Sequence, residues 1–277
     1  MQLTHPSKIV TVALVAILGV IALVQTIAAT SEITTFFNVS NESNEKSIDH
    51  SKWQEILDAF VQEHESGINR LDYAALKEDD EAHESVTAYV LQLSDVDPRT
   101  YSKSEQLAYW INYYNALAVY VVNSRFPVKS IQEIKLAGPD TSLLDVKLAS
   151  VSDKSLSLND IRNEILRPIW KDNRVHFVLN SASLGCPNLS KEAFTSDNVD
   201  ELLDAGMKAY LNHTRGMSVK DGKLTVSSIF EWYMEDFGQD KDEVIAYLKR
   251  HVQLEISEKL GALNKFETTY DWAVNSP

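Results

Sequence analysis

EQLAYWINYYNALAVYVVNSRF, residues 105–126, decides the architecture. Leu107, Trp110, Ile111, Tyr114, Leu117 and Val121 recur at three- and four-residue steps, which is the period of a helix. Ser102 or Ser104 opens it and Pro127 stops it. The other faces of this helix are apolar too. A helix that is apolar nearly all round belongs at the centre of a domain.

The rest of the chain is read outward from that helix. Before it, Trp53, Ile56, Leu57, Phe60 and Val61 mark an amphipathic helix, and a second covers 83–94. After it, SLSLNDIRNEILR (155–167) predicts a helix capped by Ser157 or Asn159. VHFVLN (175–180) is a short apolar, β-prone run and predicts a buried strand. SDNVDELLDAGMKAYLNH (196–213) carries acids in its first turn, where the helix dipole favours them. MSVKDGKLTVS (217–227) predicts a hairpin about Asp221-Gly222. Helices near 228–236 and 240–260 and a last strand within 265–272 complete the pattern. The fold class is α+β: a helix-rich single domain with a small, mostly antiparallel sheet.

Residues 9–24, IVTVALVAILGVIALV, hold no charge and no proline, and Lys8 precedes them. Small residues follow at Ala28 and Ala29. A basic start, an apolar run and small residues make a secretory signal. Extended over 9–29, the same run is about the ~20 residues that a spanning helix needs. Cleaved signal and uncleaved anchor both fit. Either places the acidic remainder outside the cytoplasm, in the periplasm or another extracytoplasmic space, and the anchored form sits in the inner membrane. The sequence therefore divides into a signal or anchor (1–29), a Ser-, Asn-, Thr- and Glu-rich linker (30–50) and a domain (51–277).

Formal net charge is −14, and the first 29 residues contribute only a lysine, so the remainder is more acidic still. Such a surface repels phosphate backbones and anionic lipid. Nucleic acid is excluded as a partner, and membrane contact is expected through the N-terminal segment alone. One cysteine, Cys186, rules out an intramolecular disulfide. No His or Cys spacing reads as a metal site, and no cofactor is implied.

Chemistry centres on SASLGCPNLS (181–190). Gly185 permits a sharp turn and Pro187 suits the first turn of a short helix, which would put Cys186 at a strand end beside a helix N-terminus. Free N–H groups there stabilise a thiolate or an oxyanion. His176, ten residues earlier, is the candidate base of a Cys–His pair. The bland readings are a buried thiol acting as a small hydrophobe and a neutral core histidine. Asn112 and Asn115 stand three apart inside the apolar helix, where asparagine is a poor fit. They are read either as orienting a catalytic imidazole or substrate carbonyl, or as tying down a neighbouring backbone. The acids and aromatics of 231–237 read as a solvated face beside buried rings.

Six blocks taken together resemble a known family: YWINYYNALAV (109–119), SIQEI (130–134), SLNDIRNEILR (157–167), RVHFVLNSASLGCPNL (174–189), SSIFEWYMEDFG (227–238) and YDWAVN (270–275). In order and spacing they are similar to the bacterial and plant family of domain of unknown function 547. The resemblance implies a shared fold, likened to papain-like thiol enzymes, with His176 and Cys186 at matching positions. The chain departs from the family pattern twice. Ser181 stands where many relatives have a second cysteine, and Arg162-Asn163 stands where relatives often have Glu-His. Two functions follow as expectations. One is a thiol-dependent hydrolase or acyl transferase for a peptide or small amide, with Cys186, His176, Asn112 and Asn115 as its site. The other is a non-catalytic module binding a peptide or an envelope protein.

Overall fold

The computed structural model describes residues 30–261 and 263–277. The expected export segment lies outside them. Among the described residues, no helix is long and apolar enough to cross a membrane.

Helices α1 (Glu32–Phe37), α2 (Ser51–Phe60), α3 (Tyr73–Glu78), α4 (Asp80–Ser94) and α5 (Lys103–Arg125) form the first half, with a two-residue ladder between β1 (Val61–Gln62) and β2 (Arg70–Leu71). Of the two candidate caps, Ser102 opens α5, its hydroxyl accepting from the Glu105 N–H. Leu107 through Val119 are all buried, so α5 is the central element that its sequence demanded. Hairpin β3 (Ala149–Val151)–β4 (Lys154–Leu156) leads into a composite helix: α6 (Leu158–Asp160), a π-helical stretch Ile161–Leu166, and α7 (Arg167–Trp170). Ser157 caps it reciprocally with Asp160. Helix α8 (Val199–Leu211) and hairpin β5 (Met217–Lys220)–β6 (Lys223–Ser227) follow. The chain continues with α9 (Ile229–Trp232), α10 (Lys241–His251), α11 (Leu254–Leu260) and β7 (Phe266–Thr269). β7 pairs parallel to β6. The molecule is helix-rich α+β. Among the described residues the strands fall into three small sheets rather than one, and the other pairings are antiparallel.

Two expectations fail. Residues 30–50, read as a linker from their polarity, are knitted onto α5. Phe37 is fully buried with its ring centroid 5.0 Å from that of Trp110, and the Ile48 N–H donates to Glu105 at 2.6 Å. The Gln106 amide also donates to the Val39 carbonyl. A few apolar anchors and many side-chain-to-backbone bonds seat a segment whose composition reads as solvated. The second failure is 175–180, which is not a strand. Residues Asn173–Phe177 form a 3₁₀ turn capped by Asp172. Beyond it, the Asn115 side chain bonds both the Val178 carbonyl and the Asn180 N–H. One amide thus does for this backbone what a neighbouring strand would have done. Periodicity cannot separate a short apolar strand from another buried segment.

Two apolar clusters build the interior. One surrounds α5; the other joins α8, β5–β7 and α10. Phe177 belongs to the second and Val178 to the first, so the segment leading to Cys186 runs along their seam.

Candidate functional site

Cys186 sits on a tight loop under the C-terminal segment. The Leu184 N–H donates to the Ala273 carbonyl and the Gly185 N–H to the Asp271 carbonyl, each at 2.8 Å; the Asn275 N–H donates back to Ala182. Gly185 is required for this approach. A Cβ there would lie 2.8 Å from the Asp271 nitrogen. Ala182 adopts a left-handed φ of 65°, uncommon for a residue with a side chain, and it separates the two serines that face the sulfur.

Four groups able to donate lie within hydrogen-bond distance of Cys186 Sγ. They are the Ser181 N–H at 3.2 Å, the Ser181 and Ser183 hydroxyls at 3.1 Å each, and the Tyr270 hydroxyl at 3.0 Å. A neutral thiol is a weak acceptor and donates once, so so many donors suit a thiolate. Burial pushes the thiol pKa up, but the bonds from Ser181, Ser183 and Tyr270 outweigh it and hold the group below its usual value. The expected helix N-terminus is absent: residues 187–190 are not helical, and the next helix is α8. Hydroxyls, not a helix dipole, supply the stabilisation.

His176 does not join this group. Among the described residues it makes no hydrogen bond to Cys186. Its Nε2–H donates to Asp236 Oδ2 at 2.6 Å, and its ring stacks on Tyr233 with centroids 4.5 Å apart. Burial, reinforced by the Arg162 charge, pushes its pKa down to about 4 against the opposing pull of Asp236, so it is neutral at pH 7. Asp236 also accepts from Arg167 Nε at 2.5 Å. It stays ionised, because the His176 and Arg167 bonds override its burial and bring its pKa to about 2.

Asn112 and Asn115 do not orient the imidazole. Asn112 bonds the Phe194 N–H and carbonyl as Asn115 bonds Asn180 and Val178. Each amide closes a two-bond clasp on a loop, the tie-down alternative of the sequence reading. Asn115 still matters to the site, because it fixes the backbone one residue before Ser181.

Three residues at the site escaped the sequence reading as site residues. Tyr270 reaches the sulfur from the C-terminal segment, 84 positions away. Ser181 was seen only as a missing cysteine. Arg162 was seen only as a departure, yet it lies on the buried stripe Leu158, Ile161, Arg162, Ile165, Leu166. An arginine on an apolar stripe is a legible signal. Arg162 donates to the Tyr114 hydroxyl at 2.8 Å and the Tyr233 hydroxyl at 3.0 Å. It also lies in the π-helical stretch, a geometry that is frequent at functional sites.

Among the described residues, no group of three or more His, Cys, Asp or Glu is placed to hold a metal ion. A cavity of about 330 Å³ opens beside Trp272 and is bordered by Ile131 and Leu143. The Trp272 and Tyr270 ring centroids are 4.6 Å apart, so this cavity lies one aromatic ring from the residue that touches the thiol.

No curated protein and no solved structure matches the chain, so the papain-like expectation rests on the resemblance alone. A family model described as "Protein of unknown function, DUF547" matches residues 98–211, a stretch holding Tyr114, Arg162, His176, Ser181 and Cys186. Over that stretch, less than half of the chain, the sequence is similar to the family of domain of unknown function 547.

Proposed function

We propose that the chain is a thiol-dependent hydrolase or acyl transferase that works outside the cytoplasm on a peptide or small amide. The observation that carries this reading is the ring of four donors on Cys186. Such a sulfur is ionised before substrate arrives and needs no contacting base. His176 therefore loses the role of base, and Tyr270 becomes the proton carrier. Burial and the neighbouring sulfur hold the Tyr270 pKa well above 10, so the phenol keeps its proton until one is required.

The thiolate attacks the acyl carbon and forms a C–S bond. On collapse the C–N bond breaks, and the amine leaves with the Tyr270 proton. Water or an acceptor nucleophile then attacks the thioester and returns a proton to the Tyr270 oxygen. This releases the acyl product and restores the thiolate. The Ser181 N–H is the nearest backbone donor for the oxyanion.

Incubation with p-nitrophenyl acetate, followed by mass spectrometry, tests the reading. One acetyl group is expected on Cys186 of the native protein and none on Cys186→Ala. Acetylation of the unfolded chain alone would overturn it.

A second reading, a non-catalytic binding module, is favoured by one observation. Cys186 is only 1% exposed beneath the C-terminal segment. A native thiol that resists every acyl donor while the protein still binds peptide would support that reading. The extracytoplasmic placement rests on residues 9–29. The full chain is expected in the membrane fraction of its host, or processed near Ala29. Intact chain in the soluble cytoplasmic fraction would refute that placement.

A further inference from the structure

The C-terminal segment carries aromatic side chains at alternate positions, Tyr270 and Trp272. In an extended chain that spacing puts both on one side. The Tyr270 hydroxyl lies 3.0 Å from Cys186 Sγ, and the Trp272 and Tyr270 ring centroids are 4.6 Å apart. Trp232, from α9, completes a triangle, 4.8 Å from Tyr270 and 5.5 Å from Trp272. Trp232 is 43% exposed. A single exposed apolar ring needs no explanation. Three rings in mutual contact, leading from solvent to a sulfur, mark a binding surface.

The same segment is stitched to the chain along both edges. Odd-numbered residues meet the thiol loop: the Asp271 and Ala273 carbonyls accept from Gly185 and Leu184, and the Asn275 N–H donates to Ala182. Even-numbered residues meet the opposite edge: the Trp272 carbonyl accepts from the Ser130 hydroxyl at 2.9 Å, and the Val274 N–H donates to Lys129 at 3.0 Å. Ile131 follows directly. With Leu143 it forms the buried apolar wall of the 330 Å³ cavity, which Trp272 closes on another side. Thiol loop and cavity therefore lie along the two edges of one strand. Backbone hydrogen bonds, not mobile side chains, set their spacing.

Ligand sites begin at about 300 Å³, so this cavity has room for one large side chain rather than a whole peptide. Its lining also includes Lys135 and Asp140, one charge of each sign. It selects by shape and apolarity, not by charge. Its position says which half of a substrate it meets. In the proposed reaction Tyr270 gives its proton to the departing amine, while the Ser181 N–H faces the oxyanion. The amine half must lie on the Tyr270 side of the sulfur, and the Tyr270 ring is the one that leads to Trp272.

We infer that the Trp272 cavity is the amine-side subsite of the Cys186 centre and takes a bulky apolar side chain, aromatic above all. This inference rests on the proposed thiol chemistry and narrows its substrate to a peptide or amide with such a side chain on the amine side of the scissile bond. In the transfer step the same subsite seats the acceptor. Its amine nitrogen bonds to the acyl carbon, the C–S bond breaks, and the nitrogen passes a proton to the Tyr270 oxygen as the thiolate is restored.

The test loads Cys186 with p-nitrophenyl acetate, removes the excess, and follows loss of the acetyl group by mass spectrometry with glycinamide or phenylalaninamide as acceptor. S-acetyl-N-acetylcysteine with each amine supplies the intrinsic ratio. Beyond that ratio, phenylalaninamide should clear the acetyl group about tenfold faster or more, the discrimination that burial of one large apolar side chain provides. In Trp272→Ala the preference should vanish. A ratio is insensitive to general loss of reactivity, so a merely damaged variant would keep it. Should Trp272→Ala fail to fold, Leu143→Ser reads the opposite wall. Equal clearance by the two acceptors in the wild type, or a preference that survives in the folded variants, would overturn the inference. Absence of acetyl from Cys186 would instead sink the thiol chemistry itself, and this inference with it, before any acceptor is added.

Discussion

Two sets of buried polar groups lie within a few residues of each other and could hardly be built more differently. The Asn112 and Asn115 clasps are closed. Each amide oxygen meets a backbone N–H and each amide nitrogen meets a carbonyl, so no amide atom is without a partner. The groups around Cys186 and around Arg162 are open. Four groups able to donate face one sulfur, and a guanidinium keeps an idle Nε. A closed clasp is the signature of structure, because every buried polar group is satisfied at the end of folding. A network with surplus charge is stable only if one member ionises or a ligand arrives. This difference separates the tie-down residues from the candidate chemistry better than residue type does.

Substitutions at the clasps should give the largest effect on stability. Asn115→Ala leaves the Val178 carbonyl and the Asn180 N–H buried without partners, and Asn112→Ala does the same at Phe194. At about 1–3 kcal/mol per orphaned group, each variant should lose about 2–6 kcal/mol, read by urea unfolding. A loss within ±0.5 kcal/mol would show that water or backbone movement replaces the amide, and the comparison would fail on its structural side.

Acid comes next. His176 and His50 are both pushed down to about 4, each chiefly by burial. An unfolded histidine takes up its proton near 6.5, so below that pH the unfolded state binds more protons and gains. Stability should therefore fall as pH drops from about 6.5 to about 4. It should fall again as Asp236 protonates, from 3.8 toward about 2. With two histidines the first fall amounts to a few kcal/mol. His176→Gln should remove roughly half of it in a melting-temperature series from pH 7 to pH 4. A flat series in the wild type would mean that neither imidazole is held neutral.

The smallest effect sharpens the contrast within the site. His176→Ala should move the Cys186 midpoint by less than about half a pH unit, since the imidazole neither touches the sulfur nor carries charge near pH 7. A shift of about a full pH unit or more would restore the Cys–His pair expected from the sequence.

Much of the fold was legible because it follows from period and punctuation. The central helix came from its apolar steps, its Ser cap and Pro127. The 217–227 hairpin came from Asp221-Gly222. The 30–50 segment was misread because few anchors, Phe37 and Ile48 among them, hold a polar stretch. The 175–180 segment was misread because a side-chain amide took the place of a strand. Of the site, Cys186 was found because it is the lone thiol beside Gly185. His176 was found for its residue type and placed in a role that Asp236 forecloses. Tyr270 could not be found from spacing, since only the folded chain returns it to the 181–186 loop. The donor ring is built from two serines and a tyrosine, and none of these is rare enough to stand out in a sequence.

The central claim is that Cys186 is ionised at neutral pH in the folded protein. The direct measurement is the pH dependence of iodoacetamide alkylation, followed by mass spectrometry, for native protein and for protein unfolded in urea. The midpoint, not the absolute rate, is the readout, because the C-terminal segment slows access at every pH alike. The account expects a native midpoint at least one unit below the ~8.5 of the unfolded thiol. A native midpoint at or above that of the unfolded chain would contradict it and leave Cys186 a buried structural residue.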